Sequence, residues 1–291
     1  MSENRILIFD VLRIPAIIGI VMFHIGEMIG KDFSFGAFGV IIFIFTSGCV
    51  LELGYGKKIW GAVSKFDYRS FIETRILRIY PAYWLAIVLA LIISPYARAG
   101  LNLSNLLKTV SGFYPIFATK GDAFIGGVIE PVGWFVCAIM LLYLLYPMLS
   151  KFLKENGIQA LIIILVVSAF STMTLPAGDI LGGNASWFPL STMAEFALGI
   201  YVVQAGLYLK TVNTSRIVRF ASDLSFPVFL VHFPVLIMLT PKPNIDYLTI
   251  SIYVGIVLVL AVLVYLFDVN VRKLCLGLKL TENKPEIAER P

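Results

Sequence analysis

Residues 6–30 read ILIFDVLRIPAIIGIVMFHIGEMIG, a stretch long and apolar enough to cross a membrane that nevertheless carries Asp10, Arg13, His24 and Glu27. A spanning helix needs about 20 mostly apolar residues, and an arginine at its centre costs roughly 2.5–3.5 kcal/mol on insertion scales. At about 100° per residue, the eleven steps from Arg13 to His24 make three turns plus about 20°, so the two side chains share one helical face. With about 1.5 Å of rise per residue they stand roughly 16 Å apart along the axis. Asp10 and Glu27 fall within the same arc of about 100°, and the opposite face is aliphatic and suited to lipid.

The rest of the chain agrees with a membrane setting. Its 291 residues are 59% hydrophobic and 14% charged, with a mean hydropathy of +0.89. Apolar stretches at 6–28, 36–54, 79–97, 131–150, 158–175, 187–207, 222–241 and 248–268 predict an all-α polytopic helical bundle with about eight transmembrane helices. Another stretch, LNLSNLLKTVSGFYPIF from Leu101 to Phe117, is too short and too interrupted by polar residues and Gly112 to span. It is expected to form an interfacial or re-entrant helix. Residues 1–275 then make one integral membrane domain, and 276–291 a short charged cytoplasmic tail.

Charge placement tests that count. With the N-terminus in the cytoplasm, eight crossings put Arg5, the basic residues between 57 and 78, Lys151, Lys154, those between 210 and 219 and those between 272 and 290 inside. Only Lys31, Arg98, Lys108, Lys120 and Lys242 fall outside. This is the asymmetry of the positive-inside rule, and counting 101–117 as a crossing would spoil it. A multi-pass protein of the cell membrane with both termini cytoplasmic is expected.

The net charge of +5 is thus mostly topology. The basic residues are spread over loops rather than gathered with aromatics on one face, which argues against a nucleic-acid partner. Cys49, Cys137 and Cys275 are isolated and show neither metal spacing nor a disulfide framework. No metal is expected, and GxSxG, Walker and HExxH patterns are absent.

His24 can accept and return a proton near neutrality; the alternative is a histidine hydrogen-bonded between helices. Arg13 needs a compensating partner, either Asp10 three residues back or an anionic donor substrate. In FIETRILRIYPAYW, Arg75 and Arg78 are three apart, and Pro81 suggests a break or a fresh helix start. Guanidinium groups bind phosphate in bidentate fashion, so this pair with Lys57 and Lys58 could hold a phosphorylated cofactor; the positive-inside rule alone explains them too. His232 lies mid-span and reads equally as a second proton-handling group or as a structural hydrogen bond, and Glu195, mid-span too, should face the bundle or be protonated. Ser47 is followed by Gly48, a pairing more suggestive of close helix packing than of a nucleophile.

These residues resemble the acyltransferase type 3 family of membrane-bound O-acyltransferases. The resemblance rests on Arg13 and His24 in FDVLRIPAIIGIVMFH, Ser47–Gly48, the basic run through Arg75 into Arg78, Ile79 and Pro81, GWFVCAIMLLYLLYP from Gly133 to Pro147, and SFPVFLVH ending at His232. The chain departs from the family at Ile139, where many members carry glutamate, and at Phe229, where tyrosine is usual. Eight spans also stand where ten are common.

The resemblance implies transfer of an acyl group, acetyl from acetyl-CoA or another acyl-CoA, to a hydroxyl of a surface or exported carbohydrate or glycolipid. His24 would be the general base and Arg13 a catalytic or donor-binding group, with Arg75, Arg78, Lys57 and Lys58 on the donor phosphates. Glu27, Asp10, Glu195, His232, Ser47 and Trp134 are further candidates. A competing reading is a transporter or flippase for a polysaccharide or lipid-linked intermediate. Its paired broken helices and inverted repeats are not visible in the sequence.

Overall fold

In a computed structural model of the chain, the opening stretch forms α1 (Leu7–Ile29), ended by Gly30 at φ 66°, a left-handed conformation that glycine adopts without strain. The structure describes residues 6–61, 65–117, 129–130, 132–174, 188–209, 211, 215–239 and 246–282. A 3-10 turn (Ser34–Ala37) leads into α2 (Phe38–Ile59). Next comes α3 (Tyr68–Ile93), capped by the Asp67 carboxylate, which accepts from the amides of Arg69 and Ser70. Three short helices follow, α4 (Pro95–Ala99), α5 (Leu103–Ser111) and α6 (Tyr114–Phe117). The chain continues with α7 (Gly133–Thr174), α8 (Pro189–Gln204), α9 (Arg216–Leu239) and α10 (Tyr247–Glu282). Among the described residues there is no strand. Six helices there, α1, α2, α3, α7, α9 and α10, are long and apolar enough to cross a membrane. The all-α membrane bundle expected from composition is therefore the architecture. Large apolar side chains such as Ile92, Val166, Phe170 and Val259 point outward, as lipid contact requires.

The 42-residue α7 is not one rod, for Gly157 breaks it with φ 54° and ψ −130°. Its first arm runs alongside α8 in the same direction: the Tyr146 ring meets Phe196, and Gln204 donates to the Ser150 carbonyl at 2.9 Å. A straight continuation would carry Ser168 far beyond Gln204. Instead the Ser168 hydroxyl donates to the Ser191 carbonyl at 3.0 Å, and the Ser171 and Ser191 hydroxyls are 3.2 Å apart, at the opposite end of α8. The chain must therefore reverse near Gly157, making α7 a hairpin of two antiparallel arms. With that reversal, the eight apolar stretches lie mainly on separate helical segments, the one at 79–97 running past the end of α3 into α4; their edges at 131, 175, 187 and 240–241 lie outside the described residues.

Several boundaries differ from expectation. Pro81 starts no new helix, and α3 runs through it from Tyr68, well before the predicted start at 79. A membrane helix tolerates proline where neighbouring groups satisfy the freed backbone. Past 276, where the tail is expected to begin, α10 continues to Glu282, as a spanning helix can where it leaves the membrane.

The stretch from Leu101 to Phe117 does not span. It forms α5, a left-handed Gly112 at φ 76°, and the single turn of α6. A helix end lacks partners for its last carbonyls, and α3 supplies them. Tyr83 donates to the Thr109 carbonyl at 2.8 Å, Trp84 to Val110 at 3.0 Å and Tyr80 to Ser111 at 2.6 Å. Beside this cover, Glu130 is fully buried. Burial pushes its carboxyl well above the usual carboxylate range and outweighs the nearby Val132 amide.

Candidate functional site

Helix α1 is positioned by α9 and α2. At one end of α1 the Ser222 hydroxyl donates to Asp10 at 2.9 Å, and at the other the His24 and His232 rings lie 5.3 Å apart. Both contacts run in the same order along the two helices, so α1 and α9 are parallel. The polar stripe of α1 consequently faces α9 along its length.

The His24 end brings together three groups of a kind able to hold or accept a proton. Nδ1 of His24 is 2.8 Å from Oε2 of Glu27, one turn further along α1. A carboxylate can only accept, so this bond holds the proton on Nδ1 and leaves the Nε2 lone pair available. Glu27 itself is well exposed at 58%, which leaves the pair accessible from that end of the bundle. His232 is fully buried. Its Nδ1 donates to the Phe229 carbonyl at 2.6 Å, and its Nε2 has no hydrogen-bond partner. Tyr253 of α10 holds the same turn by donating to the His232 carbonyl at 3.2 Å.

At the Asp10 end lies a cleft of about 90 Å³ among α1, α2, α3, α7, α9 and α10. Its polar wall holds Arg13, Ser47, Arg78, Asp223, Asp268 and Arg272, and Phe43, Phe135 and Ile139 stand among its apolar residues. Arg78 reaches Asp223 at 3.9 Å, and Arg272 is paired with Asp268 one turn before it on α10. Three guanidinium groups facing two carboxylates make a wall suited to an anion or a polar chain.

The structure divides the sequence candidates. Arg13, Ser47 and Arg78 meet in the cleft, and His24, Glu27 and His232 meet beyond it. Arg75 does not line the cleft although it is three residues from Arg78. Its guanidinium sits 5.3 Å over the Tyr55 ring and 5.6 and 5.9 Å over those of Phe71 and Tyr143, and it donates to the Tyr55 hydroxyl at 3.2 Å. Lys57 and Lys58 are exposed at the end of α2, Lys58 lying 5.7 Å over Tyr55. Trp134 packs edge-on against Phe135 at 6.2 Å, outside the cleft. Glu195 lies on α8 with Oε2 buried and without a hydrogen-bond partner. Gly48 makes the close packing expected of it, since a Cβ there would lie 2.2 Å from the Phe196 carbonyl oxygen. No metal-binding cluster occurs among the described residues.

Sequence reading missed Ser222, Asp223, Asp268 and Arg272 as cleft residues. The four-residue spacing of Asp268 and Arg272 was a readable signal, but nothing in it says that α10 meets α1 and α3. It also missed Glu52, whose buried carboxyl accepts from Tyr146 at 2.9 Å, Ser150 at 2.8 Å and Gln204 at 2.8 Å.

Comparison with known proteins bears on this arrangement. A family model described as an acyltransferase domain, of type 3, matches residues 6–214. A curated relative named as protein 2 in the picA locus of Rhizobium radiobacter is 33% identical over 92 residues, 31% of this chain. The match spans about half of that relative's length, 47%. No solved structure matches.

Proposed function

This chain belongs to the acyltransferase type 3 family, and we propose that it transfers an acyl group, acetyl in the simplest case, from acyl-CoA to a carbohydrate hydroxyl across the cytoplasmic membrane. The observation that carries the reading is the His24–Glu27 pair at 2.8 Å, set on the same helix face as the arginine-lined cleft that begins at Arg13.

In this reading the donor approaches from the cytoplasmic side, with its phosphates at the inner surface and its pantetheine arm in the cleft. Arg13, Arg78 and Arg272 hold polar groups of the donor there. A separation of roughly 16 Å along α1 removes Arg13 from the reacting carbonyl, so it serves donor binding rather than the oxyanion. The acceptor approaches from the Glu27 end. His24 Nε2 takes the hydroxyl proton as the oxygen attacks the thioester carbonyl, the C–O bond forms, the C–S bond breaks, and the departing thiolate receives the proton. Glu27 keeps the imidazole in the required tautomer and stabilises its protonated form, as an acid does for histidine in hydrolytic triads.

The test is mass spectrometry of surface glycans from cells with and without the protein, with His24→Ala as the matched control. A new acyl mass is expected with the wild type alone, at equal membrane levels of both proteins. The same mass from His24→Ala would sink the general-base assignment, and no mass change with the wild type would sink the acceptor class.

A further inference from the structure

The cleft at Arg13 and the base at His24 are separated by a layer of rings. Phe43 and Phe135 line the cleft, and Phe229 stands behind them, with ring centroids 5.0 Å from Phe135 and 6.4 Å from Phe43. Phe43 and Phe135 are themselves 6.4 Å apart. Centroid separations of 4.5–7 Å are direct ring contact, so no passage for a carbon chain remains between the three. Beyond them Phe229 meets the His232 ring at 5.7 Å, and His232 meets His24 at 5.3 Å. The three phenylalanines come from α2, α7 and α9 and are 8%, 6% and 3% exposed, so surrounding helices limit how far each ring can turn.

Size decides what such an arrangement admits. The cleft, of about 90 Å³, ends against Phe43 and Phe135, so the ring layer limits what passes beyond it. For a thioester carbonyl to come within reach of a hydroxyl bonded to His24, its acyl group must enter the level of Phe229. There it meets rings already in mutual contact.

We propose that Phe43, Phe135 and Phe229 form an acyl-selecting layer between the donor cleft and His24, admitting an acetyl-sized group by small ring rotations and rejecting long acyl chains. This rests on the acyl-CoA reading above, and it assigns that site a substrate class, short-chain acyl thioesters.

The experiment is competition of acetyl-, butyryl- and octanoyl-CoA against radiolabelled CoA on the purified full-length protein, its folding checked by gel filtration and thermal melting. Wild type should bind acetyl-CoA about as well as CoA and octanoyl-CoA about tenfold or more weakly. Phe229→Ala should bring octanoyl-CoA to within about threefold of acetyl-CoA, a change well beyond ordinary scatter. Phe135→Leu, a milder change in volume, should move the ratio the same way and serves if the alanine variant does not fold. CoA binding with no chain-length discrimination, or with a ratio unchanged in folded variants, overturns the layer alone. Failure of the folded wild type to bind CoA at all overturns the donor reading and the layer with it.

Discussion

At the scale of single residues, the proposed acyl transfer turns on how His24 is held. Glu27 is the group within hydrogen-bond reach of Nδ1, and being 58% exposed it sits in a field that water screens. The electrostatic part of its effect is therefore modest, and its main contribution is to fix the tautomer. Glu27→Gln, which offers an amide oxygen to the same Nδ1–H, should lower kcat by about tenfold, and Glu27→Ala by more, toward the roughly 10²–10⁴ range of general-base catalysis. Steady-state kinetics of acyl transfer check this. An equal loss in both variants would show that charge rather than orientation matters, and no loss would remove Glu27 from the site. The spacing of Arg13, His24 and Glu27 on one helix was legible because a helix's periodicity is local. Their partition into a cleft and a base was not, since Asp223, Asp268 and Arg272 reach the cleft from helices whose neighbours no local pattern records. Arg75 shows the same limit. Its closeness to Arg78 in sequence suggested a shared site, yet the aromatic rings of α2, α3 and α7 claim its guanidinium.

At the scale of helices, α2 is fastened to α7 and α8 by two devices of different kinds. One is steric: Gly48 and Gly199 let the backbones of α2 and α8 touch, since a Cβ at either would lie 2.2 Å from a carbonyl oxygen of the other helix. The other is polar, the Glu52 carboxyl bridging Tyr146, Ser150 and Gln204, with Trp60 donating to Ser150 at 3.2 Å. In a bilayer the hydrophobic effect does not drive helices together, so close packing and hydrogen bonds must do so. Gly48→Ala should destabilise by about 1–3 kcal/mol through overpacking. Gln204→Leu should cost about 1–3 kcal/mol, the range for leaving a buried acceptor without its partner. Thermal unfolding of the purified variants measures both, and an unchanged melting temperature for Gly48→Ala would mean that α2 and α8 are less closely apposed than described. Ser47–Gly48 announced its packing role in sequence because a small residue in an apolar helix has few other uses. Glu52 announced nothing, because one acid near the end of an apolar run reads as the start of a loop.

At the scale of the whole molecule, the directions of the helices fix what the two ends of the site can face. Pairs that rise together in number make α1 parallel to α9, and α2 parallel to both the first arm of α7 and α8. Phe220 against Tyr265, with His232 against Tyr253, makes α9 and α10 antiparallel. If each of these segments crosses the membrane, this pattern requires α7 to cross twice, with its turn at Gly157. A single crossing of the 42 residues would set α9 against α1 rather than along it. Apolar length and the basic pair Lys151 and Lys154 supplied eight segments from sequence, with a turn between 150 and 158; what they did not single out is Gly157 as the residue at which one continuous helical run reverses. Single cysteines placed at Lys31, Lys151, Leu209 and Asp246 in a background lacking Cys49, Cys137 and Cys275 make the pattern measurable. With the N-terminus cytoplasmic, as the distribution of basic residues argues, an impermeant maleimide should label positions 31 and 246 on intact cells. Positions 151 and 209 should react only after permeabilisation. Labelling of 209 from outside would mean one crossing fewer before it, removing the reversal at Gly157. Labelling of 31 from inside and 151 from outside would invert the molecule, placing the arginine cleft on the side where acyl-CoA is absent.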